Sequence, residues 1–238
     1  MRLAGGPVIP KFGEGSSCVQ GDHAFCWDWV RQHWSDTLGP ALWQHVELTA
    51  IAVAIGFALA FPLALLAHRY RPLEQPIGIV SALVYTIPSL AAFQLLVPFT
   101  GITTTTVEIP LIAYTLVILF PNIVAGLRGV SDDVLEAAAG MGLTRFQTLV
   151  RVELPLAVPA IIAGLRIAVV STVAIATIAA TLLPKGLGFP MLLALKEPTP
   201  FKTEIYSTGI LAVALALACD ATLVGLRRVL VPWARRQA

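Results

Sequence analysis

Residues 45–68 read HVELTAIAVAIGFALAFPLALLAH, and this stretch decides the fold. Between Glu47 and Arg69 it holds no Asp, Glu, Lys or Arg. An α-helix rises about 1.5 Å per residue, so about 20 apolar residues cross the hydrocarbon layer of a bilayer. Four more stretches have the same length and character, at 77–98, 107–127, 157–183 and 205–226. Within the second, Thr86, Pro88, Ser89 and Gln94 interrupt the apolar run, although none is charged. Composition agrees: of 238 residues 57% are hydrophobic and 13% charged, with a mean hydropathy of +0.80. Soluble domains carry about 25% charged residues, so this chain lacks the polar surface for a shell washed by water. Sixteen Lys and Arg against fourteen Asp and Glu leave a net charge of +2. That balance makes no stripe able to track nucleic-acid phosphates. The expectation is an all-α polytopic membrane protein: an outward tail over 1–44, five spans within 45–226, and an inner tail over 227–238.

Sidedness follows from the arginines, which favour the cytoplasmic ends of spans. Arg69 and Arg71 follow the first span, Arg128, Arg145 and Arg151 lie between the third and fourth, and Arg227, Arg228, Arg235 and Arg236 follow the fifth. The other side holds Arg2, Lys11, Arg31, Lys185, Lys196 and Lys202. The N-terminus is expected outside and the C-terminus in the cytoplasm. Residues 1–40 contain no apolar run of signal-peptide length, so the first span is expected to insert unaided. Cys18 and Cys26 lie in the outward tail, where a disulfide is permitted; two separate thiols are the alternative. Cys219 lies within the fifth span as a small apolar filler.

Motifs for bond chemistry are missing: there is no GxxxxGK[ST], HExxH or GxSxG, and no GxGxxG following a strand. His23, His33, His45 and His68 are dispersed, and the three cysteines have no metal-site spacing. Catalytic and metal sites are therefore not expected in this chain.

The cytoplasmic segment between the third and fourth spans departs from the apolar pattern. Ser131 stands where a helix cap belongs, and Asp132 and Asp133 suit the positive end of the helix dipole. Gly140 and Gly142 then stop that helix. Thr144 with Gln147 three residues later forms a capping box that starts a second helix. The expectation is a bent pair of short helices over 131–150, with Ala137 to Ala139 offering a face that another protein can approach. The alternative is an amphipathic loop on the headgroups, with Leu135, Leu143, Phe146 and Leu149 facing lipid.

Glu136-Ala137-Ala138, then Gly142, Val152, Leu154 and Pro155, resemble the EAA signature of the membrane subunits of bacterial ABC importers, written EAA-x3-G-x9-I-x-LP. Every fixed position matches except Val152, which replaces Ile. A wider likeness runs through Tyr85-Thr86-Ile87-Pro88-Ser89-Leu90, Ala125 to Val130, Arg151 to Leu156 and Ala163-Gly164-Leu165-Arg166. These stretches are similar to the osmoprotectant permeases for glycine betaine, carnitine and choline. Departure occurs at Leu183-Pro184-Lys185-Gly186-Leu187-Gly188, where that family favours small residues and glycines.

The resemblance implies a bacterial plasma-membrane permease of the type I importer fold, whose bent segment seats in an ATP-binding subunit. It implies that a partner ATPase dimer binds ATP and Mg²⁺, and that this chain holds no cofactor. It also implies an extracytoplasmic solute-binding protein docking on loops 98–108 and 183–204, and a second permease copy or a paralogue. Another betaine-like solute such as ergothioneine fits the same frame. A passive channel or a scaffold that recruits a cytoplasmic protein is the alternative from a different class.

Particular residues carry these expectations. Glu136 can accept a charge-assisted hydrogen bond from a basic group on the ATPase, Gly142 permits the bend, and Pro155 suits the first turn of the fourth span. Arg166 lies within the fourth span, where a charge calls for a partner, and Asp220 is the acid well inside the fifth; pairing and snorkelling of Arg166 are both open. Pro88 with Ser89, and Pro121 with Asn122, are expected to break the backbone ladder at membrane depth. Together with Tyr85 they either line a pathway or merely kink two helices. Tyr85, Phe93, Tyr114 and Phe120 are aromatic candidates for a quaternary ammonium contact, or packing residues.

Overall fold

A computed structural model describes residues 24–197 and 201–232. These residues form helices joined by short turns, and no strand occurs among them. Helix α1 (Trp27–Gln32) precedes a π-helical turn, Trp34–Leu38, that runs into α2 (Gly39–Arg69). Then come α3 (Glu74–Thr86), α4 (Ser89–Thr100), α5 (Thr104–Arg128), α6 (Asp132–Gly140), α7 (Arg145–Thr148), α8 (Leu154–Ile178), α9 (Gly188–Lys196) and α10 (Lys202–Leu230).

Four continuous helical runs are long and apolar enough to cross a membrane: Trp34–Arg69, Thr104–Arg128, Arg145–Thr181 and Lys202–Leu230. The expected second span is broken instead, since α3 and α4 meet at 94°. Pro88 causes the break. Its nitrogen cannot donate, and its ring excludes the helical conformation at Ile87, which sits at φ −71 and ψ 122. The carbonyl of Ile87 is left outside the helix ladder, and the Tyr114 hydroxyl of α5 donates to it. A polar backbone group at this depth is thereby satisfied without water.

The first span begins earlier than the sequence suggested, at Trp34 rather than near residue 45. Trp27, Trp34 and Trp43 are all exposed at this end, as expected of indole rings at the level of the headgroups.

Small residues bring the central helices together. Ala52, Gly56, Ala60, Ala64 and Ala67 are buried along one side of α2, a spacing that places them on a single stripe facing the bundle. A Cβ on Gly56 would lie 2.5 Å from Cγ2 of Thr115, so α2 and α5 are in backbone-level contact there. Toward the C-terminal end of α5, Leu119, Phe120, Ile123 and Leu127 interlock with this stripe and with Ala157 and Ile161 of α8. Toward the N-terminal end of α5, Phe93 of α4 is enclosed with Ala52, Val107, Leu111 and Ala176. Phe93 and Phe120 are therefore packing residues. Helices α2, α5 and α8 make the core, while α10 lies outside it with the apolar stretch of its surface uncovered.

Candidate coupling elbow and translocation groove

The elbow is built from its own residues. Ser131 holds the cap conformation, but its hydroxyl makes no cap bond. Its carbonyl instead accepts from the N–H groups of Val134 and Leu135, at 3.1 and 3.3 Å. At the other end of α6, Gly142 adopts φ +80. Leu143 N–H returns to Ala138 O at 3.2 Å and Gly142 N–H to Ala139 O at 2.9 Å. This is a Schellman stop, and the left-handed residue at its corner favours glycine. Gly140 is simply the last helical residue, so of the two glycines Gly142 makes the bend. The capping box follows, with Thr144 N–H donating to Gln147 Oε1 at 2.8 Å and Gln147 N–H to Thr144 Oγ1 at 3.4 Å.

Helix α7 does not end before the fourth span. A π-helical turn, Leu149–Glu153, carries it into α8, and Pro155 occupies the first turn of α8. The wide turn lies where the missing proline N–H would otherwise interrupt the ladder. The second arm of the elbow and the span are one helical rod, Arg145–Thr181, while α6 stands apart from it across the Gly142 stop. The base of the rod is tied to α2 by His68, whose Nε2 lies 2.6 Å from Glu153 Oε2.

Glu136 and Ala137 are exposed, whereas Ala138 is buried. The alanine run therefore offers Ala137 and Ala139 to a neighbour rather than one continuous face. Met141 and Phe146 stand out at 74% and 73% exposure. Leu135, Leu143 and Leu149 are partly buried, and Leu149 packs on the inner core. Three of the four residues assigned to lipid in the amphipathic alternative thus turn toward the protein.

A groove of about 560 Å³ runs between α3, the C-terminal half of α5 and α8. Tyr85, Ser81, Pro121, Asn122 and Ser171 line it. Glu74 and Arg128, which pair as carboxylate and guanidinium, stand among its lining residues. The ring of Tyr85 packs edge-on against Tyr114, with centroids 6.4 Å apart. Pro88 and Ser89 make the break above the groove without lining it. Pro121 removes one bond from the backbone ladder without ending its helix: α5 continues from Thr104 to Arg128. The packing of α2 and α8 against α5 holds the helix through one missing bond. Asn122 Nδ2 also donates to Ile118 O at 2.7 Å, beside the carbonyl of Val117 that the proline leaves without its helical N–H.

The structure brings Arg166 and Asp220 together. Nε donates to Oδ1 at 2.6 Å and a terminal guanidinium nitrogen to Oδ2 at 2.9 Å, a two-bond fork between α8 and α10. Cys18 lies outside the described residues, and with it the Cys18–Cys26 pairing; Cys26 itself is buried beside Trp29, Val30 and Leu38. Cys219 is a free thiol.

Sequence reasoning missed a strap at the end opposite the elbow. Three consecutive residues after α8 are held by the start of α2. Lys185 Nζ lies 3.1 Å from Glu47 Oε2, Gly186 N–H donates to Gln44 Oε1 at 3.0 Å, and Leu187 N–H donates to His45 Nδ1 at 3.2 Å. Since that ring nitrogen accepts, the opposite one carries the hydrogen and donates to Val173 O at 3.0 Å. The spacing of 44, 45 and 47 has no meaning until residue 185 arrives beside it. The Glu74–Arg128 and His68–Glu153 contacts were missed for the same reason.

Comparison with known proteins follows the same lines. The chain matches the model of the binding-protein-dependent transport system inner membrane component over residues 43–236. It is 35% identical over 198 residues to the carnitine transport permease protein OpuCB of Listeria monocytogenes, covering 82% of this chain and 89% of that one. It is 32% identical over 201 residues to the osmoprotectant import permease protein OsmW of Salmonella typhimurium, covering 82% and 92%, and 31% identical over 191 residues to the choline transport system permease protein OpuBB of Bacillus subtilis, covering 80% and 87%. A chain of the MetNI methionine ABC transporter, solved in inward-facing conformations, superposes with a TM-score of 0.72 at 19% identity, over 80% of this chain and 94% of that chain; this likeness is one of fold. Match, span count and fold agree, and the chain belongs to the family of binding-protein-dependent transport system inner membrane components: it is a multi-pass membrane permease subunit.

Proposed function

We propose that the chain forms the translocation pathway of an ATP-driven importer for quaternary-ammonium osmoprotectants of the glycine betaine, choline and carnitine class. The substrate class is supported by the names of the relatives, among them a carnitine, a choline and an osmoprotectant permease. The mechanism rests on one observation above others: the second arm of the elbow, Arg145–Thr148 with exposed Phe146, runs without a break into the spanning helix α8, and the first arm with exposed Glu136 is joined to it through the Gly142 stop. A push on such an elbow tilts the span as a lever instead of being lost in a loop.

In this reading an ATPase dimer binds ATP and Mg²⁺, and each ATPase subunit receives one elbow. Glu136 meets a basic group on it, and Ala137, Ala138, Gly142, Leu154 and Pro155 shape the elbow and its join to the membrane. Closure of the ATPases draws two elbows together, and His68–Glu153 passes part of the motion to α2. The second elbow belongs to another copy of this chain or to a paralogue. The groove carrying Tyr85, Pro121 and Asn122 faces the shared path, with the Pro88–Ser89 break above it. A solute-binding protein docks on loops 98–108 and 183–204. The N-terminus is outside and the C-terminus in the cytoplasm of a bacterial cell.

The test is uptake of labelled glycine betaine, choline and carnitine into proteoliposomes holding this chain, its ATPase and its solute-binding protein. Uptake that needs both ATP and the binding protein is expected. Flux that persists without nucleotide would establish the channel reading in its place.

A further inference from the structure

Glu108 lies in the second turn of α5, at the outer end of the bundle, and is 8% exposed. Neither of its carboxylate oxygens is exposed, and neither has a hydrogen-bond partner among the described residues. An ionised carboxylate out of water and without a partner is among the costliest arrangements a protein can hold. The charges acting on it are those of Lys185 and Glu47. Those two residues are paired with each other, and the Glu47 side of the pair is 44% exposed. One lysine therefore serves two acids, and in this structure it is on the more exposed of them.

The lysine is carried by a segment suited to a small shift. Helical side chains lean toward the N-terminus of their helix, so the Glu108 carboxyl leans toward the outer end of the bundle, the end at which Lys185 emerges. Lys185 precedes Gly186 at φ +77, and its flexible four-carbon stem can reach more than one carboxylate. The neighbouring anchors, Gly186 N–H on the Gln44 side chain and Leu187 N–H on the His45 ring, end on side chains of α2, so the strap can follow the lysine by a small shift.

We propose that Glu108 is a second seat for Lys185, and that the transport cycle moves this lysine between Glu47 and Glu108. Seated on Glu47, the ammonium lies at the rim; seated on Glu108, it is drawn between α2 and α5, pulling the strap toward the bundle and changing the outer end of the pathway. The moving part is the 182–188 segment, all but its first residue within the region proposed above to meet the solute-binding protein. This inference rests on the importer reading.

The experiment uses the full complex in proteoliposomes. Lys185→Cys is combined with Glu47→Cys or with Glu108→Cys, and disulfide formation is mapped by peptide mass with and without vanadate-trapped nucleotide. The 185–47 bond is expected to dominate without nucleotide, and the 185–108 yield is expected to rise severalfold on trapping. In parallel, Glu108→Gln and Lys185→Met are each expected to lower ATP-driven uptake about tenfold with basal ATP hydrolysis retained, and the double variant to be no worse than either single one, as members of one interaction behave. Equal 185–108 yields in both states, or additive losses in the double variant, would overturn the second seat while leaving the importer intact. Absence of ATP-driven uptake by the unmodified complex would overturn both.

Discussion

The elbow at 131–155 and the strap at 182–188 are both connections to α8, one at each end, and they are held in opposite ways. Every bond that shapes the elbow's stop and cap joins residues within five positions of each other. The backbone bonds that hold the strap join residues 142 positions apart. A locally closed turn keeps its form when the helices around it move, so it can serve as a handle. A turn held by a distant helix changes when that helix moves, so it can report or impose a change at the outer mouth. In the proposed importer the two ends of one rod would thus carry different mechanical duties.

Four substitutions probe this contrast, from the largest effect to the smallest. Arg166 and Asp220 are the strongest distant pair, and reversing either charge should abolish recovery of assembled complex from membranes, while the double reversal recovers it. Failure of that recovery would mean that the fork does not join α8 to α10. His45→Phe leaves Leu187 N–H without its acceptor, at a cost of about 1–3 kcal/mol, while the Val173 carbonyl keeps the Thr177 hydroxyl; thermal melting in detergent should register the loss, together with faster proteolysis of the 182–188 segment. Gly142→Val forces a branched side chain to φ +80 and should cost roughly 1–2 kcal/mol, seen as lowered ATPase recruitment with outer-loop proteolysis unchanged. Thr144→Ala removes one cap bond worth about 1 kcal/mol and should reduce uptake least. If His45→Phe disturbed the elbow as much as the strap, the division of duties would fail.

The same contrast decides what could be read in advance. Four of the five apolar runs, the Gly142 bend and the Thr144–Gln147 box are local patterns that appear in the structure as read, while the remaining run is broken into two helices at Pro88. Pro88 broke its helix as its chemistry requires, but Pro121 did not, because neighbours packed along α5 supply what one lost hydrogen bond removes. Ser131 kept the cap backbone while its carbonyl did the bonding. The strap, the Glu74–Arg128 pair and the solitary Glu108 depend on which helices become neighbours. His45 looked like one of four scattered histidines until Leu187 and Val173 came to either side of its ring.

The central claim is that the elbow is the handle through which ATP hydrolysis drives the spans. It is tested most directly by Glu136→Ala in the reconstituted complex, measuring uptake and ATP hydrolysis together. Loss of a charge-assisted bond worth about 1.5–3 kcal/mol at the ATPase contact should lower the solute moved per ATP by roughly tenfold or more, with the melting temperature of the exposed-site variant unchanged. Uptake and hydrolysis both equal to those of the unaltered chain would contradict the account.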